Sequence, residues 1–203
     1  MIYLYSGTPG SGKSLHQADR IYWNLKCNRP VVANYEINLS LFKKKVPFIY
    51  LPNDKICPEE LIKISKAYFE NHKFKEGAIS VYIDECQLLF NAREWAQKGR
   101  SEWLSFFTQH RKYGFDIFLV AQFDRMIDRQ IRSLIEYEFI HRKVSNFGKF
   151  GKMLNILTFG GLFVSVEVWY PMHEVIGHEF FHYKKLYGKL YNSYNTFDSF
   201  KFT

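Results

Sequence analysis

The chain has 203 residues, and 28 Lys and Arg against 20 Asp and Glu give a net charge of +8 at pH 7. Its hydrophobic share of 47% can fill an ordinary core, which excludes a disordered or fibrous chain. Three cysteines without a C-x-x-C spacing indicate neither a disulfide framework nor a zinc knuckle. The longest run of like charges, residues 43–45, is shorter than a nucleic-acid-binding tail. We therefore expect a folded domain in a reducing compartment.

The first part of the chain alternates between strand-like and helix-like segments. The apolar run at residues 2–5 predicts a strand, and apolar residues at helical intervals predict a helix over residues 14–26. Residues 31–33 and 48–51 predict two more strands, and Pro58 in an acidic first turn begins a second helix. This alternation is typical of a parallel sheet with helices on both faces.

The alternation continues beyond the second helix and then changes. Residues 78–83 and 117–121 are apolar without a two-residue period, as expected for strands buried on both faces, and a helix with Trp103 and Phe106 separates them. Residues 137–142 alternate between apolar or aromatic and polar side chains, which predicts a further strand.

A hairpin signal follows near the end of the chain. Two apolar runs, residues 155–159 and 162–166, flank the pair Gly160 and Gly161, and a two-residue glycine turn is typical of a β-hairpin. We expect a parallel sheet in residues 1–145, a β-hairpin extension of the same domain in 146–180, and an aromatic, basic segment in 181–203.

A glycine-rich segment joins the first predicted strand to the first predicted helix. It satisfies G-x-x-x-x-G-K-[ST] at every fixed position. In such a loop the backbone N–H groups surround phosphate at the positive end of a helix, the lysine reaches the β- and γ-phosphates, and the hydroxyl ligates Mg²⁺. The predicted nucleotide-binding residues are Gly7, Thr8, Pro9, Gly10, Ser11, Gly12, Lys13, Ser14 and Leu15.

Polar residues follow two of the buried strands. Asp84 and Glu85 end one strand, where a pair of charges is costly without a partner, and a magnesium nucleotide supplies that partner. We predict that Asp84 holds the metal through water and that Glu85 is the general base, the alternative being that both only cap the next helix. Gln122 would face the γ-phosphate if its strand lies between the first strand and the Asp84 strand; otherwise it is a polar surface cap.

Arginines near these elements are candidates for an arginine finger that stabilises transition-state charge in a neighbouring subunit. Arg111 and Arg132 are the two that we select, and we expect the other arginines to be surface or ion-pair residues.

A second catalytic motif competes with the phosphate loop. His178, Glu179 and His182 spell H-E-x-x-H, which on a helix places two imidazoles on one face beside a glutamate base, as in zinc metalloproteases. No histidine follows, and Asp198 is the one acid after this motif, so a third ligand is scarce. The favoured interpretation is a polar, aromatic face near the end of the domain.

Tyrosines recur at intervals of three and four near the C-terminus, interleaved with lysines. If the segment is helical, they form one aromatic face, which either packs on the domain or lies at a membrane surface or partner. The tyrosines are Tyr183, Tyr187, Tyr191 and Tyr194.

Taken together, these segments resemble the zonular occludens toxin family, which includes the gene I assembly proteins of filamentous phage. The resemblance is carried by residues 2–14, 32–34, 81–87 and 110–117 leading to Gln122, and it covers about residues 1–145. It implies an α/β P-loop ATPase fold of the RecA-like FtsK and HerA type. It also implies ATP and Mg²⁺ as ligands, with the roles of Lys13, Ser14, Asp84, Glu85 and Gln122 as given above.

The resemblance further implies a motor that powers phage assembly and extrusion on the cytoplasmic side of the host inner membrane. It would work as a homo-oligomeric ring, such as a hexamer, with phage assembly proteins as partners and single-stranded DNA or coat protein as cargo. The alternative interpretation is a nucleotide-gated assembly adaptor that binds ATP without significant turnover. The sequence has no signal peptide or membrane-spanning segment, so we expect this chain to be soluble and its anchor to be missing or separate.

Overall fold

The structure is a computed structural model that describes residues 1–92, 99–158 and 161–191. Its strands, in chain order, are β1 (Ile2–Ser6), β2 (Val31–Ala33), β3 (Phe48–Tyr50), β4 (Ile79–Ile83), β5 (Phe115–Val120), β6 (Tyr137–Lys143), β7 (Leu162–Trp169) and β8 (Glu174–His182). Its α-helices are α1 (Lys13–Lys26), α2 (Pro58–Phe69), α3 (Arg100–Gln109), α4 (Arg129–Arg132), α5 (Gly148–Leu157) and α6 (Lys185–Leu190). No helix of this described part is long and apolar enough to cross a membrane.

Within the described residues, eight strands form one sheet in the order β3-β2-β4-β5-β1-β6-β7-β8. The six strands β3, β2, β4, β5, β1 and β6 are parallel; β7 then pairs antiparallel with β6, and β8 pairs antiparallel with β7. This mixed, mostly parallel α/β sheet confirms the predicted fold class. Because β1, β4 and β5 run in one direction, the segments that follow them meet at the carboxyl edge of the sheet.

Two apolar layers cover the parallel part of the sheet. On one face, Ile2, Leu4 and Val81 pack with residues of α2 and α3, and on the other Val31 and Tyr82 pack with α1. All five residues of β4 are buried, as the absence of alternation in its sequence predicts. The end of β4, which carries the acidic pair, is thereby held rigidly.

The predicted hairpin is wrong in position. Residues 155–157 belong to α5, and the hairpin is formed by β7 and β8, which are joined around residues 170–173. Apolar residues between 150 and 157 recur at intervals of three and four, which is typical of a helix. This longer pattern outweighs the short apolar run that suggested a strand. Residues 159 and 160 of the expected hairpin lie outside the described residues, and the three predicted domain ranges stay a prediction.

A buried chain of hydrogen bonds links α1 to β6 beneath the phosphate loop. His16 Nδ1 lies 2.8 Å from His141 Nε2, and His141 Nδ1 donates to the Ser6 carbonyl at 3.1 Å. Arg20 Nε donates to His16 Nε2 at 3.3 Å, so His16 carries its proton on Nδ1 and donates it to His141 Nε2. His141 in turn carries its proton on Nδ1, so both rings are neutral. The Glu179 carboxylate lies 3.6 Å from His16, but Arg20 engages it at 2.9 Å.

Burial and the neighbouring cationic or imidazole groups disfavour a charge on either ring. Burial, followed by His141 and Arg20, lowers the pKa of His16 to about 2. Burial also lowers the pKa of His141 to about 4, against the two backbone hydrogen bonds that favour its charged form. The two histidines are therefore neutral partners of the protein interior.

The depressed pKa values predict that the fold loses stability in mild acid. Below the ordinary histidine pKa of about 6.5 the unfolded chain binds protons that the folded chain does not, so the free energy of unfolding falls by about 2 kcal/mol per histidine between pH 7 and pH 5. Urea unfolding at both pH values measures this loss. His16→Gln should lose about half of this pH dependence, because His141 still contributes, whereas His178→Gln, at an exposed position, should keep all of it. Equal slopes in all three proteins would contradict the assignment.

Candidate nucleotide-binding site

The phosphate loop connects β1 to α1, and its backbone requires glycine. Gly7, Gly10 and Gly12 have φ values of 137°, 73° and 99°, a region that side chains with a Cβ rarely adopt. A Cβ on Gly7 would lie 2.5 Å from the carbonyl oxygen of His141, and one on Gly12 would lie 2.7 Å from the ring of Phe163. Among the described residues no side chain caps the start of α1, so its first N–H groups are open to an anion.

The side chains of the loop are suited to phosphate. Lys13 Nζ donates to the carbonyl oxygens of Gly7 at 2.5 Å and Thr8 at 3.3 Å, so the ammonium folds back over its own loop. Burial lowers the pKa of Lys13, while Asp84 and Glu85 oppose this effect. Ser11 Oγ is buried without a hydrogen-bond partner within the described residues. These donors and the open helix end therefore fit a nucleotide phosphate.

Asp84 follows β4 at the same edge of the sheet. Its carboxylate accepts hydrogen bonds from the Glu85 N–H at 2.9 Å and from the Tyr191 hydroxyl at 2.6 Å. Burial raises the pKa of Asp84, and these two hydrogen bonds and Lys13 act against that rise. An oxygen ligand close to the phosphate loop suits Mg²⁺, which keeps several waters and takes only one or two protein ligands.

Glu85 has an unusual backbone. Its φ of 46° lies in the left-handed region, which is uncommon for a residue with a side chain and clusters at functional sites. The side chain is exposed, and its carboxylate accepts a hydrogen bond from the Gln87 amide. The carboxylates of Asp84 and Glu85 have different hydrogen-bond partners, Tyr191 and Gln87 respectively, so they are available for different tasks.

Asn34 is a positioning residue that the sequence motifs did not identify. Its side chain accepts a hydrogen bond from the Asp84 N–H at 2.8 Å and donates one to the Asp84 carbonyl at 2.9 Å. This continues the pairing of β2 with β4 beyond the end of both strands. Its place directly after a predicted strand, at the carboxyl edge, was the signal available in the sequence.

Gln122 meets the condition set by the sequence. Its strand, β5, lies between β1 and β4, so Gln122 emerges between the phosphate loop and the acidic pair. The carbonyl of Gln122 accepts a hydrogen bond from the Gly7 N–H at 3.1 Å, which ties the loop to β5. A role of its amide toward the γ-phosphate stays a prediction.

Residues 183–191, which we call the C-terminal segment, lie across the mouth of the phosphate loop. This segment closes a cleft of about 370 Å³ whose walls are the loop and aromatic side chains, namely Phe163, Tyr183, Tyr187 and Tyr191. The rings of Tyr191 and Tyr35 are in contact in a tilted arrangement, with their centroids 4.2 Å apart, and the Leu190 carbonyl accepts a hydrogen bond from the Asn38 N–H at 2.9 Å. The packing interpretation is confirmed for Tyr187 and Tyr191, while Tyr194 lies outside the described residues.

The family described as Zonular occludens toxin (Zot) matches residues 1–197 of this sequence. The chain belongs to this family. It is 28% identical over 169 residues to the Gene 1 protein of Enterobacteria phage I2-2, which is 79% of this chain and 46% of that protein. It is 27% identical over 139 residues to the Gene 1 protein of Enterobacteria phage M13, covering 66% of this chain and 39% of that one. The chain therefore spans less than half the length of these relatives.

Solved structures share the fold of this Zot-family chain. The N-terminal domain of zonular occludens toxin from Neisseria meningitidis aligns with a TM-score of 0.58 and 19% identity, over 94% of this chain and 98% of that one. The genome packaging NTPase B204 from Sulfolobus turreted icosahedral virus 2, in complex with AMP, aligns with a TM-score of 0.54 and 16% identity, over 88% of this chain and 96% of that one. The DNA-packaging ATPase B204 from Sulfolobus turreted icosahedral virus aligns with a TM-score of 0.57 and 14% identity, over 89% of this chain and 98% of that one. These likenesses establish a P-loop NTPase fold.

The two arginines selected as finger candidates bind carboxylates of their own chain. Arg111 pairs with Glu136 and precedes β5, at the amino edge of the sheet, which is opposite to the phosphate loop. Arg132 lies 3.8 Å from Asp124. Neither arginine contacts the loop of its own subunit through these pairs, and action on a neighbouring subunit stays a prediction.

The H-E-x-x-H residues of this Zot-family chain lie on β8 rather than on a helix. Successive residues of a strand point to opposite faces, so Glu179 points away from His178 and His182 and pairs with Arg20. No group of three or more metal-ligating side chains occurs in residues 1–92, 99–158 and 161–191. The arrangement that the zinc interpretation required is therefore not formed.

The bond between Tyr191 and Asp84 predicts a measurable energetic coupling between these two residues. Tyr191→Phe should lower the free energy of unfolding by about 1.5 kcal/mol, because it removes a donor from a charged carboxylate. Tyr183→Phe, at a position 56% exposed, is the matched control and should change it by less than about 0.5 kcal/mol. Urea unfolding at pH 7 measures both. In an Asp84→Asn background the effect of Tyr191→Phe should shrink, and an unchanged effect would contradict a direct bond.

Proposed function

We propose that this Zot-family chain binds ATP with Mg²⁺ and hydrolyses it. The observation that carries the proposal is the strand order, which brings the phosphate loop after β1, Gln122 after β5 and the acidic pair after β4 side by side at one edge. A loop for phosphate, a carboxylate for the metal and a carboxylate for a water are the parts that phosphoryl transfer to water requires.

Lys13 and the loop would bind the nucleotide. The Lys13 ammonium exchanges the carbonyl oxygens of Gly7 and Thr8 for phosphate oxygens, which offer it full negative charge. The Ser14 hydroxyl, in the first turn of α1, and the Asp84 carboxylate would hold Mg²⁺, Asp84 through water. The ion, when bound, neutralises charge on the phosphate oxygens.

Glu85 would act as the general base. Its exposed carboxylate is held by the Gln87 amide and is not engaged by Tyr191, which binds Asp84 instead. A carboxylate oxygen of Glu85 takes the proton of a water molecule while the amide of Gln122 orients that water. The rigid strands β4 and β5, buried along most of their length, keep these two side chains in register.

We further propose that hydrolysis powers the assembly and extrusion of a filamentous phage. The support is membership of the Zot family, the relation to Gene 1 proteins of filamentous phages, and the fold shared with a genome packaging NTPase. The motor would act as a homo-oligomeric ring, such as a hexamer, on the cytoplasmic side of the host inner membrane. Single-stranded DNA or coat protein would be its cargo, phage assembly proteins its partners, and Arg111 or Arg132 the finger reaching the adjacent subunit.

Glu85→Gln separates hydrolysis from nucleotide binding. We expect kcat for phosphate release to fall at least about 100-fold, because the amide cannot take the proton, while the affinity for ATP stays within a few-fold. Phosphate release and titration with a fluorescent ATP analogue measure the two quantities. Glu59→Gln, an exposed change of the same kind on α2, is the control and should keep full turnover.

A nucleotide-gated adaptor gives a different result. In that case the wild-type chain binds ATP without releasing phosphate, and Glu85→Gln leaves assembly unchanged. Full turnover of Glu85→Gln would likewise contradict the role given to this residue.

A further inference from the structure

Helix α5 presents a stripe of large apolar side chains to solvent. Phe150, Met153, Ile156 and Leu157 are 70%, 52%, 76% and 67% exposed. Their spacing of three and four residues places them along one side of the helix, and we call this set the α5 stripe. Four neighbouring large apolar residues at this exposure are unusual for a surface that faces only water, and such patches mark interaction sites.

The opposite side of α5 is fixed to the sheet, so the stripe cannot turn inward. Leu154 packs against Val144, Leu162 and Val164. Gly151 approaches so closely that a Cβ on it would lie 2.2 Å from the Val144 carbonyl oxygen. The helix is therefore held by its packed side while the stripe projects outward.

The apolar surface continues from α5 onto β8. Phe180 is 62% exposed and pairs across the sheet with Val164, one of the residues against which α5 packs. Paired residues of neighbouring strands share a face of the sheet, so Phe180 and α5 lie on the same side. The exposed surface thus includes two elements and is not an isolated helix.

The charge around the α5 stripe has one sign. Lys149 and Lys152 are exposed on α5, Arg142 is exposed at the end of β6, and residues 143–158 contain no Asp or Glu. Lysine stems can lie along apolar surface while their ammonium groups reach outward. The combination of bulky apolar residues with lysines is typical of helices that lie in the interface of a membrane.

We propose that the α5 stripe docks on an anionic lipid surface. A second copy that packed α5 against α5 would bring Lys149 and Lys152 against the same two lysines of the other copy, so electrostatics disfavours that contact; the ring proposed above does not require it. Nucleic acid is anionic, but its backbone offers no apolar surface to Met153, Ile156 and Leu157. An anionic bilayer offers both the negative headgroups for the lysines and the acyl boundary for the stripe.

Vesicle flotation of the full chain tests the proposal. Vesicles of phosphatidylcholine alone are compared with vesicles that contain phosphatidylglycerol in addition. We expect binding at least about 10-fold tighter to the anionic vesicles, with affinity falling as salt rises, because the headgroup attraction is screened. Equal binding to both vesicles, or none to either, would overturn the proposal.

Two pairs of variants with matched controls identify the surface. Ile156→Ser with Leu157→Ser should weaken binding at least about 10-fold, whereas Leu39→Ser with Phe74→Ser, at exposed positions elsewhere, should not. Lys149→Glu with Lys152→Glu should weaken binding to the anionic vesicles at least about 30-fold. The control, Lys43→Glu with Lys44→Glu, changes the net charge by the same amount and should weaken binding much less.

Urea unfolding of each variant confirms that the fold is retained, since all the changed residues are exposed. Two other outcomes would show a different occupant. A dimer that disappears with Ile156→Ser and Leu157→Ser would assign the stripe to a second copy. Binding of single-stranded DNA that the same changes abolish would assign it to nucleic acid.

Discussion

The close approach of the phosphate loop to the strands on either side of it is the constraint on which the site depends. The Gly7 N–H bonds to the Gln122 carbonyl after β5, while its α-carbon lies against the His141 carbonyl of β6. Gly12 lies against Phe163 of β7. The loop is thus held between the parallel core and the antiparallel extension, so the added strands take part in shaping the nucleotide site. The neutral pair of His16 and His141 supports the loop from below.

Residues 183–191 connect this loop to Asp84. From the end of β8 they cross the cleft, and the Tyr191 hydroxyl bonds to Asp84. The backbone N–H and carbonyl of Asp84 are also bonded to the side chain of Asn34, which follows β2, so residues from distant parts of the sequence converge on Asp84. A change in the segment around residues 185–191 therefore acts directly on the residue that would hold Mg²⁺.

Much of the site could be predicted because its chemistry is local in sequence. The phosphate loop satisfies its pattern within eight residues, Asp84 and Glu85 end a recognisably buried strand, and the place of Gln122 depended only on strand order. Asn34 and Tyr191 were not assigned because their roles come from side-chain contacts across 50 and 107 residues. The position of the hairpin was wrong because a short apolar run suits a strand or a helix, and packing of Leu154 and Gly151 decides for α5. The tyrosines that suggested a membrane contact turn inward at Tyr187 and Tyr191, and α5 is the exposed apolar element instead.

The central claim is that the carboxyl edge of this sheet forms a site for magnesium-dependent hydrolysis of ATP. Phosphate release by the wild-type chain tests it most directly, with Mg²⁺ and after its removal by EDTA. The assay is run with and without single-stranded DNA, while the mass of the assembly is measured in the presence of ATP. We expect phosphate release that requires Mg²⁺. Absence of release in every assembled state, with ATP bound, would contradict it.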